Sequence, residues 1–261
     1  MPQVNKSTHY NKSRPCLCYN RYCFSAKLST MEYTIQTIGS VHSPYRQKFG
    51  VARQPGLVPA AAVCIELNPD FHADSVRGLA DFDYIWLHFI FHGVLDEGWA
   101  PMVRPPRLGG KRKMGVFATR SPHRPNHLGL SLLKLERIES SKPVRIWCSG
   151  ADLIDGTPVI DIKPYIPFIE AKPQAKAGFV SGAPQTLNIR WQNPACRDAL
   201  PSELVALIEQ SIAQDPRPAY QDIPERRYGM ALAGYQIHFH IVGKEALIVS
   251  ACAGETDQQA V

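Results

Sequence analysis

Among the 261 residues no apolar run approaches the ~18 needed to cross a bilayer. The longest, around Tyr84–Phe91, is broken by His88, so a membrane-spanning segment is excluded. Gly-x-Gly-x-x-Gly and Gly-x4-Gly-Lys-Ser/Thr are both missing, which leaves nucleotide cradles of the Rossmann and P-loop kinds without support. Gly-x-Ser-x-Gly is missing too, against an α/β-hydrolase. Acids are absent from residues 1–30, which carry Lys6, Lys12, Arg14, Arg21 and Lys27 and thus five of the net +6 charges. Bulk charge therefore says little about partners, and local clustering has to carry that argument.

Residues 1–30 have neither a helical nor a strand period and no apolar core of a secretory signal. They are expected to be a disordered basic tail, with Met31 opening the first patterned segment. Cys16, Cys18 and Cys23 lack the paired spacing or the histidine partner of a zinc site. Cys64, Cys148, Cys196 and Cys252 are scattered, and Cys64 and Cys148 fall in apolar runs, as buried free thiols do. His88/His92 and His123/His127 are each four apart, but the first pair lies in a β-patterned run and Pro122 and Pro125 forbid a helix at the second. No metal is expected.

From Tyr33 to about Pro167 short β-rich runs alternate with Pro- and Gly-containing turns. The strands expected are Thr34–Val41, Val63–Leu67, Tyr84–Phe91, Gly115–Ala118, Leu130–Ile138, Val144–Cys148 and Val159–Ile162. That pattern fits a β-barrel or a sandwich. An Ala/Pro/Gln/Gly-rich stretch then reads as a linker. Beyond it Leu204, Val205, Leu207, Ile208 and Ile212 keep a 3.6 period behind Ser202, a plausible N-cap, and Asp215-Pro216 ends the helix. Alternation over Tyr235–Val242 and an apolar run at Ala246–Ser250 add two strands. The expected organisation is a tail (1–30), a β domain (31–170), a linker (171–196) and a small α+β domain (197–261). The last is near the size where a core is marginal alone, so it should pack on the first domain or on a second copy.

Between Gly98 and Leu135 there are eight Lys/Arg residues and no acid. They are Arg104, Arg107, Lys111, Arg112, Lys113, Arg120, Arg124 and Lys134, and Pro and Gly shape much of the segment into a loop. Phosphate is the natural partner, because guanidinium forks match its oxygens; an inert solubilising surface is the alternative. Asp152-Leu153-Ile154-Asp155-Gly156-Thr157-Pro158 reads either as a plain hairpin or as a turn that aims a carboxylate into a cleft.

Longer words of the chain are specific. Ser43-Pro44-Tyr45, Lys48-Phe49-Gly50-Val51-Ala52-Arg53-Gln54-Pro55-Gly56, Val76-Arg77-Gly78-Leu79 leading to His92, and Arg104-Pro105-Pro106-Arg107-Leu108-Gly109-Gly110 follow in order. After them come Met114 through Asn126 (MGVFATRSPHRPN), Asp155-Gly156-Thr157-Pro158, Asp161-Ile162-Lys163-Pro164-Tyr165 and Asp215-Pro216-Arg217-Pro218-Ala219-Tyr220. Together these resemble the TsaA-like (YaeB/TrmO) family of methyltransferases, which use S-adenosyl-L-methionine to methylate N6 of threonylcarbamoyladenosine at tRNA position 37, next to the anticodon. The resemblance implies a small β-barrel methyltransferase domain of non-Rossmann type with a small α+β C-terminal domain. It implies a cytoplasmic homodimer whose partner is tRNA, with neither DNA nor membrane. Residues 1–30 lie outside it, which favours Met31 as the start.

Carried over by motif, the cofactor contacts are Ala52, Arg53, Gln54, His92, Gly93, Arg120, Leu130, Asp152, Leu153, Ile154 and Asp155, with Ala52 standing where the family commonly has Pro. The acceptor nitrogen is ureido-like and a poor nucleophile, so a proton acceptor is expected, with Asp155 and Tyr165 as candidates. The charge patch makes Lys111, Arg112, Lys113 and Arg124 tRNA-facing, with Arg217 a further candidate. Arg53 or Arg124 suits the threonyl carboxylate. The alternatives are a non-catalytic tRNA-binding module and a methyltransferase of this fold acting on a small molecule.

Overall fold

The structure is a computed structural model and describes residues 32–218, 223 and 226–254. The expected basic tail with its three cysteines, and Ala219-Tyr220, lie outside the described residues.

Strand alternation builds a barrel. The short strands β1 (Gly39–His42) and β2 (Val63–Leu67) run antiparallel with Val41 opposite Ile65. In β3 (Tyr84–Ile90) Ile85, Leu87 and Phe89 point inward and are buried, while Tyr84, Trp86 and His88 face outward. A ribbon of β4 (Met102–Val103) and β5 (Met114–Gly115) carries the basic loop between its strands. Then follow β6 (Leu128–Glu139), β7 (Arg145–Ser149) and β8 (Thr157–Pro164). The order β1-β2-β7-β6-β3-β8 closes because β8 pairs back onto β1. Closure leaves no edge strand open, and a barrel this small is filled by its own side chains. Val41, Ile65, Ile85, Leu87, Leu133, Ile146 and Val159 are each fully buried there. Phe89 packs over Gly129, in the space a Cβ would occupy.

A single turn, α1 (Pro167–Glu170), follows β8, its Glu170 Oε1 accepting from Trp86 Nε1 of β3 at 2.9 Å; the second unit then runs from β9 (Asn188–Trp191) through α2 (Pro194–Asp198) into α3 (Ser202–Ala213). It ends with β10 (Tyr228–Leu232), β11 (Tyr235–Val242) and β12 (Glu245–Ala253). Its sheet has the order β10-β11-β12-β9, with β9 parallel to β12. The apolar stripe of α3 (Leu204, Leu207, Ile208, Ile212) packs into one core with Met230, Leu232, Ile237, Phe239, Ile241 and Ile248.

Several expectations change. Pro201, not Ser202, occupies the N-cap position of α3, and no side chain caps it. Of Gly115–Ala118 only Gly115 is strand; Val116–Ala118 form a 3-10 turn, because the partner strand β4 is two residues long. The first strand is shorter than Thr34–Val41, starting at Gly39 where pairing to Leu67 begins. β9 lies inside the stretch read as linker, and β10, with Tyr228, Met230 and Leu232 buried in alternation, was not anticipated.

The connection from β1 to β2 ties the two units together. Tyr45, Ala52, Val58 and Ala61 belong to the second unit's core, not the barrel's. Tyr45 bridges to Leu232, and its hydroxyl lies 3.0 Å from Ser211 Oγ on α3. The same connection is stitched to the β7–β8 loop by Gly56 N–H to Gly150 O, Ala151 N–H to Ala61 O and Asp155 N–H to Tyr45 O.

Gly50, at φ 93°, lets this connection touch the Met230 side chain, whose sulfur occupies the place of a Cβ. Gly50→Ala should therefore destabilise the protein by on the order of 2 kcal/mol in urea unfolding, from overpacking and a disfavoured φ. Gly229→Ala, whose Cβ would meet the His238 ring at an ordinary 3.6 Å, should leave the midpoint almost unchanged.

Candidate functional site

One end of the barrel opens into a cavity of about 310 Å³. Three chain segments enclose it. The β1–β2 connection contributes Lys48, Val51, Ala52 and Arg53; the end of β3 and the turn after it contribute Phe89 through Val94; the β7–β8 loop contributes Asp152, Leu153 and Ile154, with Thr157 behind them. Pro122 closes a further side. The walls are mostly aromatic and aliphatic, with a few polar groups converging, the usual make-up of a small-molecule site.

Asp152 is the polar centre. Ser131 Oγ, inward-facing on β6, donates to Asp152 Oδ1 at 2.6 Å. Burial pushes the carboxyl up to about 6, against the Ser131 hydrogen bond and the attraction of Arg120, which both favour the anion. At neutral pH it is a desolvated anion in an apolar cavity and a strong attractor for a compact cation. Arg53 and Lys48 supply positive charge on the opposite segment; Lys48 Nζ also donates to Glu97 Oε1 at 2.9 Å and holds that carboxyl below its usual range.

Seven of the anticipated cofactor residues line this cavity: Ala52, Arg53, His92, Gly93, Asp152, Leu153 and Ile154. Gln54 and Arg120 stand beside it, joined by Arg120 Nη1 donating to Gln54 Oε1 at 2.6 Å. Two residues fall elsewhere. Leu130 lies on the outward face of β6 opposite His88, about half exposed. Asp155 faces away from the cavity, its Oδ1 accepting from Ser43 N–H at 2.9 Å to fasten the β1–β2 connection. Tyr165 is at the wrong end of the barrel: its N–H bonds Tyr84 O at the start of β3 and its ring packs against Tyr84 and Trp86. Five strand residues at ~3.3 Å each put it roughly 16 Å from Phe89.

The basic residues divide likewise. Lys111, Arg112 and Lys113 are exposed and make no ion pair with any described residue. Arg124 turns its guanidinium onto Thr119 O and Ser121 O and braces its own loop. Arg217, a further candidate to face tRNA, is paired with Asp215 through two 2.8 Å bonds and is largely buried. Pro122 lines the cavity while its neighbours Ser121 and His123 line an open groove with Trp99, Met102 and Arg104.

Phe89, Phe91, Lys48 and Ser131 were missed. The two phenylalanines read as ordinary core, whereas Ser131, a hydroxyl on the inward side of an otherwise apolar strand, carried a legible signal. Among the described residues no three His, Cys, Asp or Glu side chains gather as a metal site would require. No helix among them is long and apolar enough to cross a membrane. Cys64, Cys148, Cys196 and Cys252 are free, the first two buried as expected.

Comparison with known proteins gives this arrangement a family. The tRNA-methyltransferase O N-terminal domain model matches residues 40–171, and the TrmO C-terminal domain model matches residues 184–253. A tRNA (adenine(37)-N6)-methyltransferase of Eikenella corrodens is 60% identical over 174 residues, 67% of this chain and 99% of that protein. Its Escherichia coli namesake is 42% identical over 220 residues, 80% of this chain and 93% of the relative. The crystal structure of TrmO from Pseudomonas aeruginosa superposes with a TM-score of 0.72 at 34% identity, covering 86% of this chain and all of that one. With both domain models in sequence order and the cavity built from the family's motifs, the chain belongs to the tRNA-methyltransferase O family.

Proposed function

We propose that the protein transfers a methyl group from S-adenosylmethionine to N6 of adenine 37 in tRNA, with the threonylcarbamoylated adenosine as its acceptor. The relatives' names support the tRNA adenine and the donor. The observation that carries the reading is the cavity itself, which joins apolar walls, a buried anion and a guanidinium beside an acid-free basic loop.

The residues present fit the donor. A Cβ at Gly93 would lie 3.3 Å from both Ile154 Cδ1 and Lys48 Cε, so glycine there keeps the cavity open. Phe89, Phe91, Val51 and Ile154 offer flat apolar contact for a purine ring, Asp152 a counter-charge for a cation, and Arg53 donors for a carboxylate. When bound, S-adenosylmethionine supplies an electrophilic methyl on a positively charged sulfur. Asp152 favours that charge most before transfer, because the charge disappears during the reaction; its contribution is to binding and orientation, not to lowering the barrier. The barrier is lowered by alignment, for which a rigid cavity on closed strands is suited and which can contribute ~7–11 kcal/mol.

Asp155 and Tyr165 are not assigned the proton, since one is committed to Ser43 and the other sits at the far end of β3. The threonyl carboxylate of the substrate is its proposed acceptor. Arg120, exposed and steadied by Gln54, is the proposed anchor for that carboxylate. Lys111, Arg112 and Lys113 are proposed to hold tRNA phosphates. A cytoplasmic homodimer is proposed as its setting, from the family resemblance.

The decisive assay incubates purified protein with S-adenosylmethionine and tRNA, then analyses the nucleosides by mass spectrometry. We expect a methyl on threonylcarbamoyladenosine and none on tRNA lacking that group; cofactor binding without methyl transfer to either tRNA would sink the proposal. Reversal of charge at Lys111, Arg112 and Lys113 together should raise the tRNA KM and flatten its salt dependence by about three ionic contacts. The affinity for S-adenosylmethionine should be untouched, and an unaltered salt slope would show that the loop meets no phosphate. Asp152 is protonated below about pH 6. Cofactor affinity should therefore fall about tenfold per pH unit below that point. Asp152→Asn should bind weakly at every pH and lose the inflection.

A further inference from the structure

No residue of the second unit lines the cavity, yet a charged residue of its wall is hydrogen-bonded to that unit. Arg53 Nη2 donates to Asp215 O at 3.2 Å and to Arg217 O at 3.0 Å, the main chain just beyond α3. Arg53 Nε and Nη1 have no hydrogen-bond partner among the described residues. Nη2 is thus fixed to the second unit, while Nε and Nη1 of this cavity-lining residue remain available.

The turn that supplies those carbonyls is itself locked. Asp215 is in the left-handed region at φ 49°, unfavourable for a side chain other than Asn, Asp or Gly. Its carboxylate grips the Arg217 guanidinium in a two-point pair, Nε to Oδ1 and Nη2 to Oδ2 at 2.8 Å each, and also accepts from Arg217 N–H at 3.3 Å. Arg217 is 11% exposed, so the pair is shielded from water. The pairing spans Pro216, with Pro218 following, which leaves the turn few other conformations. Both carbonyls are thereby aimed at one guanidinium nitrogen.

We infer that Asp215, through its pair with Arg217, is a positioning residue for Arg53, and that the oriented Arg53 recognises the carboxylate at the amino-acid end of the methyl donor. This rests on the cofactor reading above. The second unit then tunes the donor site from outside it, through a turn whose geometry fixes one side chain of the wall.

The test is titration calorimetry on the full chain with two probes, S-adenosylmethionine and its decarboxylated analogue, with thermal melting recorded for each variant. Asp215→Ala and Arg217→Gln should each weaken S-adenosylmethionine about tenfold, leave the decarboxylated analogue within roughly twofold, and add nothing on an Arg53→Ala background. A turn of merely structural importance would weaken both probes alike, or act additively with Arg53→Ala; either result overturns the inference. Should Asp215→Ala fail to fold, Asp215→Asn keeps the left-handed turn without the charge. An intermediate loss confined to the carboxylated probe supports the proposal, and an equal loss for both refutes it. Wild-type protein that binds neither probe would overturn the cofactor reading itself, whereas wild-type binding with unaffected variants overturns only the role of Asp215.

Discussion

Tyr45 fixes both halves of the molecule at once. It is almost wholly buried, its carbonyl accepts from Asp155 in the β7–β8 loop, and its hydroxyl meets Ser211 on α3, with burial pushing the phenol up to about 12. The chain on either side of it must satisfy two cores. A unit as small as the C-terminal one buries a low fraction of its surface unaided. The β1–β2 connection adds Tyr45, Ala52, Val58 and Ala61 to that unit's interior, and Phe49 stacks against Tyr228 and Phe239 from the same side. What anchors the connection also places Lys48, Val51, Ala52 and Arg53 around the cavity. Binding at the cavity and the integrity of the second core therefore share a structural element, so a ligand held by these residues stabilises more than the barrel.

The barrel was legible because its strands obey a simple rule. Ile85, Leu87 and Phe89 alternate with Tyr84, Trp86 and His88, and the sequence period alone says which set is inside. Helix α3 was legible for the analogous reason at a period of 3.6. β9 and β10 escaped notice because four and five residues give too few repeats to establish a period, and the second residue of β10 is Gly229. The cavity's make-up was readable from family motifs, yet motifs say nothing about which end of a strand a neighbour reaches. Tyr165 follows a strand that contributes Thr157 to the cavity, but eight residues later it has travelled to the opposite rim.

Charge was the hardest feature to interpret from sequence. Arg124 looked no different from Lys111, Arg112 and Lys113 as a member of the acid-free basic segment, but its guanidinium is turned onto nearby carbonyls. Lys111, Arg112 and Lys113, on an exposed loop, make no ion pair with any described residue. Asp152 and Asp155 pose the same problem for acids. They bracket the same Leu-Ile pair, and only the path of the loop decides that one meets Ser131 inside the barrel while the other meets the Ser43 amide.

The difference between those two carboxylates has a consequence for turnover. Asp152 attracts a cation in a site where low polarity strengthens the attraction, on the order of 4 kcal/mol at 4 Å for an effective dielectric constant near 20. On the proposed reading, methyl transfer would remove the positive charge from sulfur and leave Asp152 a desolvated anion supported by Ser131, a backbone hydrogen bond and the Arg120 field. The same burial that pushes its carboxyl up thus weakens its hold on the neutral thioether relative to the sulfonium. A site that draws its affinity from a charge destroyed by its own reaction favours departure of what it has made, and the cost of strong donor binding is not carried over into product release.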